Sequence, residues 1–348
     1  MRMKRIGLYA FALLLILFLF IYPLDAYISK PGGAYDLAPI VEVVGGDKDD
    51  EGTFSLMTIS IGKATPFSYI ASNFTDRMKV LPISKVRREG ENDKEYTIRQ
   101  KKLMSDSQFN AITVAFDKAG IPVDITYDGV FIVSVLKGGA ADGKLATGDK
   151  IRSVDGEQLK EGGQFASLIS KKGKGDKVAV TVERDGKFLD VEITLSEIPK
   201  SGGRIGLGVE FQEDRELATN PKVEIRTADI GGPSAGLMFT LEIMNQLLDE
   251  DLTKGYNIAG TGEMLPDGTV GRIGGTDFKI MAADREGVEI FFVPNDYLSD
   301  EVRNRNPGIV TNYDEALKTA KNIGTTMKVV PVSTIDDALN YLKELEEK

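Results

Sequence analysis

A chain of 348 residues, 42% hydrophobic and 28% charged, is long enough for two or three folded domains and is not a disordered tail. Its net charge of −10 and pI near 4.9 exclude the basic stripe on which nucleic-acid binding depends. The absence of both cysteine and histidine excludes disulfides, thiolate nucleophiles and the usual ligands of a catalytic zinc, so no metal site is expected.

In chain order, Arg2, Lys4 and Arg5 precede an uncharged run of nineteen residues, Ile6 to Leu24, which ends at Asp25. A run of that length can cross a bilayer. The basic flank lies on its N-terminal side, which predicts a cytoplasmic N-terminus and a single-pass cell-membrane protein with its remaining residues extracytoplasmic. A cleaved signal peptide is the competing reading. Its apolar region is normally shorter and ends at a small-x-small site, and no good one precedes Ser29, so an uncleaved anchor over residues 1–28 is favoured.

Residues 29–125 form the next stretch. The runs "IVEVVGG" (Ile40 to Gly46) and "FSLMTISIG" (Phe54 to Gly62) predict a small β region. Apolar residues at helical spacing (Ile98, Leu103, Phe109, Ile112, Val114, Phe116) within a charged segment predict a helical connector.

Between about Thr126 and Leu195 come "GVFIVSVL", then "GGAADGKLATGDKIRSVDGEQL", a helical "FASLISKK", and two strands joined across Asp185-Gly186, a favourable hairpin turn. The run Ala140-Ala141 through Leu145, Gly148-Asp149-Lys150-Ile151 and Val154-Asp155-Gly156 resembles a PDZ domain of the bacterial protease-associated kind. The resemblance implies a module that adds an extended peptide to a sheet edge. Tyr127, Asp128, Gly129 and Val130 fall where its carboxylate-binding loop is expected, without the usual Gly-Leu-Gly-Phe wording. Carboxylate capture and mere gating or packing against a neighbour therefore both stand.

Beyond a Pro/Gly break at Pro199 to Gly203, strands and helices alternate in α/β or α+β style. Here Gly232-Pro233-Ser234-Ala235-Gly236 spells G-x-S-x-G before an apolar-periodic helix, Ala235 to Leu248. A serine at a helix start can be a nucleophile, with the Ser234 and Ala235 backbone N–H groups facing an oxyanion, or simply an N-cap. An α/β-hydrolase is excluded because it needs a histidine. Lysine is the remaining base, and bringing its pKa from about 10.4 to about 7 costs roughly 4 to 5 kcal/mol, which demands burial. Lys279, in "TDFKIMAADREG" after the turn "GRIGG", has apolar neighbours that could desolvate it, although such a lysine usually reaches out to water.

Gly232-Pro233-Ser234-Ala235-Gly236, Thr261-Gly262-Glu263 and Gly274-Gly275-Thr276-Asp277-Phe278-Lys279 together resemble the proteolytic domain of Lon proteases, from about Ile205 to Val332. The resemblance implies a Ser234/Lys279 catalytic dyad, with the Thr261 hydroxyl holding the lysine amine. Asp229 is a further orienting candidate, with an unreactive capping role as its alternative. No G-x-x-x-x-G-K-[ST] phosphate loop occurs, so no ATP and no other cofactor is expected. With the apolar N-terminus and the PDZ-like stretch, the chain is similar to the membrane-anchored, PDZ-containing Lon-like peptidases of Gram-positive bacteria. That similarity implies ATP-independent cleavage of secreted peptides or exposed segments of membrane proteins, and a homo-oligomer, hexameric by resemblance. A non-enzymatic peptide-binding or chaperone scaffold is the alternative from another class. The expected fold is multi-domain: a transmembrane helix (1–28), a small β/helical region (29–125), a β-rich PDZ domain (126–198) and an α+β Lon-type proteolytic domain (203–348).

Overall fold

The computed structural model describes residues 2–47, 51–227 and 230–348. It opens with helix α1 (Arg2–Ile21), followed by strands β1 (Ala26–Asp36), β2 (Val41–Val43), β3 (Thr53–Lys63) and β4 (Lys79–Pro82). Helix α2 (Pro66–Ala71) and a 3-10 turn (Ser72–Phe74) lie between β3 and β4. Thr65 and Ser68 form a reciprocal capping box at α2, and Pro66 fills the first turn, where no amide is needed. The short α3 (Ile83–Val86) and the long α4 (Asp93–Lys118) come next. Strands β5 (Asp124–Val135), β6 (Lys150–Val154) and β7 (Glu157–Gln158), helix α5 (Gln164–Ser170), and β8 (Lys177–Arg184), β9 (Lys187–Thr194), β10 (Ser196–Glu197), β11 (Ile205–Gly206) and β12 (Val209–Ala218) follow. The last part holds β13 (Val223–Ile225), α6 (Gly236–Leu247), β14 (Asn257–Gly260), β15 (Glu263–Met264), β16 (Val270–Gly271) and α7 (Thr276–Arg285). It closes with β17 (Ile290–Pro294), α8 (Asp300–Arg305), α9 (Asn312–Ile323), β18 (Lys328–Val332) and α10 (Ile335–Lys343).

These elements form two units: residues 1–91, 106–119 and 223–348, and residues 92–105 and 120–222. The first is built on a six-stranded mixed sheet in the order β18-β17-β14-β3-β1-β4. β18, β17, β14 and β3 run parallel, and β1 is antiparallel to β3 and β4. The run "IFFVP" of β17 is buried throughout, as a central parallel strand covered on both faces must be. Phe291 and Val293 pack with Ile280, Ala282 and Ala283 of α7, and with Ala316 of α9. α6 is apolar on nearly every side and buried almost end to end, and its Gln246 side chain pairs with Val41 O and Val43 N of β2. α1 stands apart: its window Lys4–Ile21 has mean hydropathy 2.1 and none of it is buried.

The sheet also redraws the division expected above. β1, β3 and β4, from the stretch 29–125, lie in the same sheet as β14, β17 and β18, because β3 pairs in parallel with β14 about two hundred residues further on. The small β region is thus half of the catalytic-segment sheet and not a domain of its own.

The second unit has the strand order β12-β5-β6-β8-β9, with β7 beside β6. Val178, Val180 and Val182 alternate inward on β8, and Ile132, Ile151, Phe165 and Ile193 complete the core. Asp185 (φ 50°) and Gly186 (φ 74°) make the tight turn between β8 and β9. Asp149 of the Gly-Asp signature is buried, accepts from Ala146 N at 2.8 Å and pairs with Arg184 at 2.7 Å, which explains why a carboxylate stands there. β12, assigned above to the C-terminal domain, closes this sheet by pairing with β5.

Gly129 lies inside β5 at φ 101°, and a Cβ there would sit 2.0 Å from Ile151 O of β6. Gly129→Ala therefore destabilises the second unit by on the order of 3 kcal/mol. Amide exchange should show protection lost in β5 and β6 and kept in β14 and β17.

Candidate active site

Ser234 lies on the turn that leads into α6. The helix begins at Gly236 with Ala235 as its cap residue and no side-chain cap, so Ser234 sits just before the helix and its hydroxyl is not spent on capping. The turn is fixed through its carbonyls. Ser234 O accepts from Gly262 N at 2.9 Å and from Thr261 Oγ1 at 3.0 Å, and Pro233 O accepts from Ser107 Oγ at 2.9 Å. Leu237 N donates to Gly262 O at 3.1 Å. Gly236 is required by close approach, since a Cβ would meet Met264 N at 2.6 Å and Ser107 Oγ at 2.9 Å. The backbone N–H groups of Ser234 and Ala235 make no hydrogen bond among the described residues.

Lys279 comes from α7. Its cap residue Gly275 is left-handed (φ 70°), and a Cβ there would press on Ile59 at 3.0 Å. Asn312, fully buried at the start of α9, clamps the turn: Oδ1 accepts from Ile273 N, and Nδ2 donates to Ile273 O and Thr276 Oγ1. The clamp aims Lys279 Nζ to 2.6 Å from Ser234 Oγ and 2.8 Å from Thr261 Oγ1. Lys279 is 2% exposed and has no ion pair among the described residues. Asp277, two residues earlier, is taken up by Lys79 at 2.6 Å. Burial brings the lysine down to about 7 from its ordinary value of 10.5. The positive end of the α7 dipole acts in the same direction.

The protons at this cluster can be counted. Thr261 Oγ1 spends its single hydrogen on Ser234 O, so towards Lys279 it can only accept. A neutral amine that donates to Thr261 is left with its lone pair free to face Ser234 Oγ. Glu263, two residues after Thr261 in the chain, is half-buried and its carboxyl is raised by burial.

Among the expected residues, Ser234, Lys279, Thr261 and Ala235 converge at this point, whereas Asp229 lies outside the described residues. Tyr127, Asp128, Gly129 and Val130 are corrected by the fold. They form no loop but the interior of β5, in register with β12 on one side, where Tyr127 faces Arg215 and Val130 faces Glu213, and with β6 on the other. Asp128 and Gly129 fall at the irregularity in the register between Tyr127 and Val130, and Val130 alone of the four pairs with β6, opposite Ile151. The loop entering the outer strand is Gly206-Leu207-Gly208-Val209, with Gly208 at φ 74°, beside a T-shaped Phe165–Phe211 contact at 4.7 Å. Its Gly-Leu-Gly-apolar wording was the available signal, placed after the module's other strands instead of before them. Ser107, Asn110 and Asn312 also went unforeseen; Asn110 Nδ2 donates to Met264 O at 2.9 Å. Nothing in local spacing marks such polar residues as partners of a turn far along the chain.

Two family models match this chain. Residues 118–195 match the family model "PDZ domain", and residues 209–343 match "Lon protease (S16) C-terminal proteolytic domain". A peroxisomal Lon protease homolog 2 of Caenorhabditis elegans is 28% identical over 185 residues, 53% of this chain and 21% of that protein. A mitochondrial Lon protease homolog of Kluyveromyces lactis is 33% identical over 126 residues, 34% of this chain and 11% of that one. The chain thus spans about a fifth of the length of the curated Lon relatives it matches. The solved PDZ domain of an SdrC-like protein from Listeria monocytogenes is 33% identical over 25% of this chain and 92% of that one, with a TM-score of 0.24.

A lysine neutral from about pH 7 upward binds fewer protons folded than unfolded between about 7 and 10.5, so it adds a rise of stability with pH across that window. Lys279→Met removes that rise and stabilises the first unit at pH 7 by a few kcal/mol, about the cost of holding the amine neutral. Denaturant unfolding of the two forms at pH 7 and pH 10 measures both effects.

Proposed function

We propose that this chain, a PDZ-containing Lon-like serine peptidase, is a membrane-anchored endopeptidase that works without ATP, with Ser234 as nucleophile and Lys279 as general base. The observation that carries the reading is the 2.6 Å approach of a buried, unpaired amine to an uncommitted serine hydroxyl. Neutral Lys279 takes the Ser234 proton as Oγ bonds to the peptide carbonyl carbon. The oxyanion so formed faces the Ser234 and Ala235 N–H groups. The lysine ammonium then gives its proton to the departing amine, which leaves an acyl-enzyme and a neutral lysine. Water, deprotonated by the same amine, attacks the ester and restores Ser234. Thr261 is a positioning residue that keeps the amine lone pair on the serine.

α1, apolar and unburied over Lys4–Ile21, supports an anchor, and the basic flank on its N-terminal side supports an outer catalytic portion. No phosphate-loop pattern occurs in the sequence, so extended peptides and exposed segments of membrane proteins are the substrates, and compact proteins are poor ones. In the PDZ unit, β12 is the outer strand on which an extended peptide would add, entered by the Gly206–Val209 loop.

The test is cleavage of an unfolded fluorogenic protein, without ATP, by the full chain in vesicles. Ser234→Ala and Lys279→Ala should each lose about 10⁴-fold or more, while Thr261→Val loses at least tenfold and Thr261→Ser keeps most activity. The wild-type rate should rise through pH 7 and level off above it, since the base is neutral there. Undiminished cleavage in both dyad variants ends the assignment, and binding without cleavage in the wild type favours a scaffold.

A further inference from the structure

Directly after β3 the chain carries a surface that the catalytic chemistry does not use. Between Thr65 and Thr75 there is no charged residue, and Phe67, Ile70 and Phe74 fall at the spacing of one helical face. All three point outward, Phe74 with 84% of its surface exposed. A cluster of this kind on a surface facing water is costly and marks a contact. What it contacts is shown by its neighbour: the Phe67 ring stacks on Phe20 of α1, with centroids 4.4 Å apart. The exit from α1 is held there too, by Leu24 N donating to Ala64 O at 2.8 Å and Ala64 N donating to Ala26 O at 2.9 Å.

Phe20 stands one residue before the end of the apolar window of α1. In a spanning helix, aromatic side chains at that level lie in the headgroup region of the bilayer, where an apolar ring meets a wet boundary. A ring stacked on Phe20 lies at the same depth. We propose that α2 and the following turn, through Phe67, Ile70 and Phe74, lie in the outer headgroup layer of the membrane and seat the first unit on the lipid surface. This rests on the anchor reading above and goes beyond it, because a tether alone would leave the folded unit free to tumble. The segment runs on into β4, whose Lys79 pairs with Asp277 on α7, so a short length of chain joins the lipid face to the helix that carries Lys279. Lipid is favoured over a second protein copy by the continuity of the face with α1, none of whose apolar window is buried.

The chain has no cysteine, so single cysteines can be placed and labelled without background. The full-length protein would carry an environment-sensitive dye at Leu14→Cys, Phe74→Cys or Tyr297→Cys, in vesicles of phosphatidylcholine and phosphatidylglycerol. Tyr297 is 90% exposed and serves as the aqueous reference. The expected result is quenching of the Leu14 and Phe74 labels by nitroxide lipids, with several-fold weaker quenching by iodide than at Tyr297. A Phe74 label as open to iodide as the Tyr297 label, with Leu14 still in lipid, overturns the lipid face and leaves the anchor standing. Protection of the Phe74 label from both quenchers also overturns it, in favour of a contact between protein copies. Iodide access at Leu14 overturns the anchor, and the lipid face with it.

Discussion

A lysine amine held out of water, with hydroxyl oxygens as its partners among the described residues, is the constraint around which the first unit is organised. In solution that amine would be charged. Burial, the pairing of Asp277 with Lys79 and the start of a helix all work against the charge, and two hydroxyls give the neutral amine partners of the right polarity. A carboxylate within reach would reverse the balance by restoring the ammonium. The fold accordingly keeps Asp277 on another face of α7.

Holding that amine requires three separate parts of the chain to agree. α7 is aimed by the Asn312 clamp and by a glycine wedged against Ile59. The serine turn is held by Ser107 on one carbonyl and by Thr261 and Gly262 on the next. Thr261 itself is fixed at the end of β14 by a bond from its N–H to Phe292 O of β17, so the parallel sheet sets the position of the hydroxyl that orients the base. A peptide unit that had to solve this with local contacts alone could not bury the lysine. The strands contributed by the N-terminal stretch are what complete the sheet.

Local spacing alone leaves Ser234 open between nucleophile and N-cap and makes Lys279 more often a surface lysine; it is the joint resemblance of the Gly232–Gly236, Thr261–Glu263 and Gly274–Lys279 runs to the Lon proteolytic domain that points to the three together. The PDZ module was legible through the resemblance carried by Ala140–Leu145, Gly148–Ile151 and Val154–Gly156, and the structure adds the inward valines of β8 and the buried Asp149. The parallel pairing of β3 with β14 was not, since two separate hydrophobic runs carry no label of who pairs with whom. Neither was the position of the outer strand of the second unit. Tyr127–Val130 read as a loop around a glycine, whereas Gly129 is needed there because β6 passes too close for a side chain. Ser107 and Asn312 gave no sign, because a single polar residue in a helix says nothing about the distant carbonyl it will meet.

The proposed cleavage depends on Ser234 being activated by a neutral lysine. The most direct measurement is the rate at which a fluorophosphonate attaches to the protein as pH is varied, with the modified residue located by mass spectrometry. Attachment confined to Ser234, with a rate that climbs as pH passes about 7 and a Lys279→Met variant that is folded but inert, is the predicted result. Attachment that ignores pH, or that proceeds undiminished without the lysine, would contradict it.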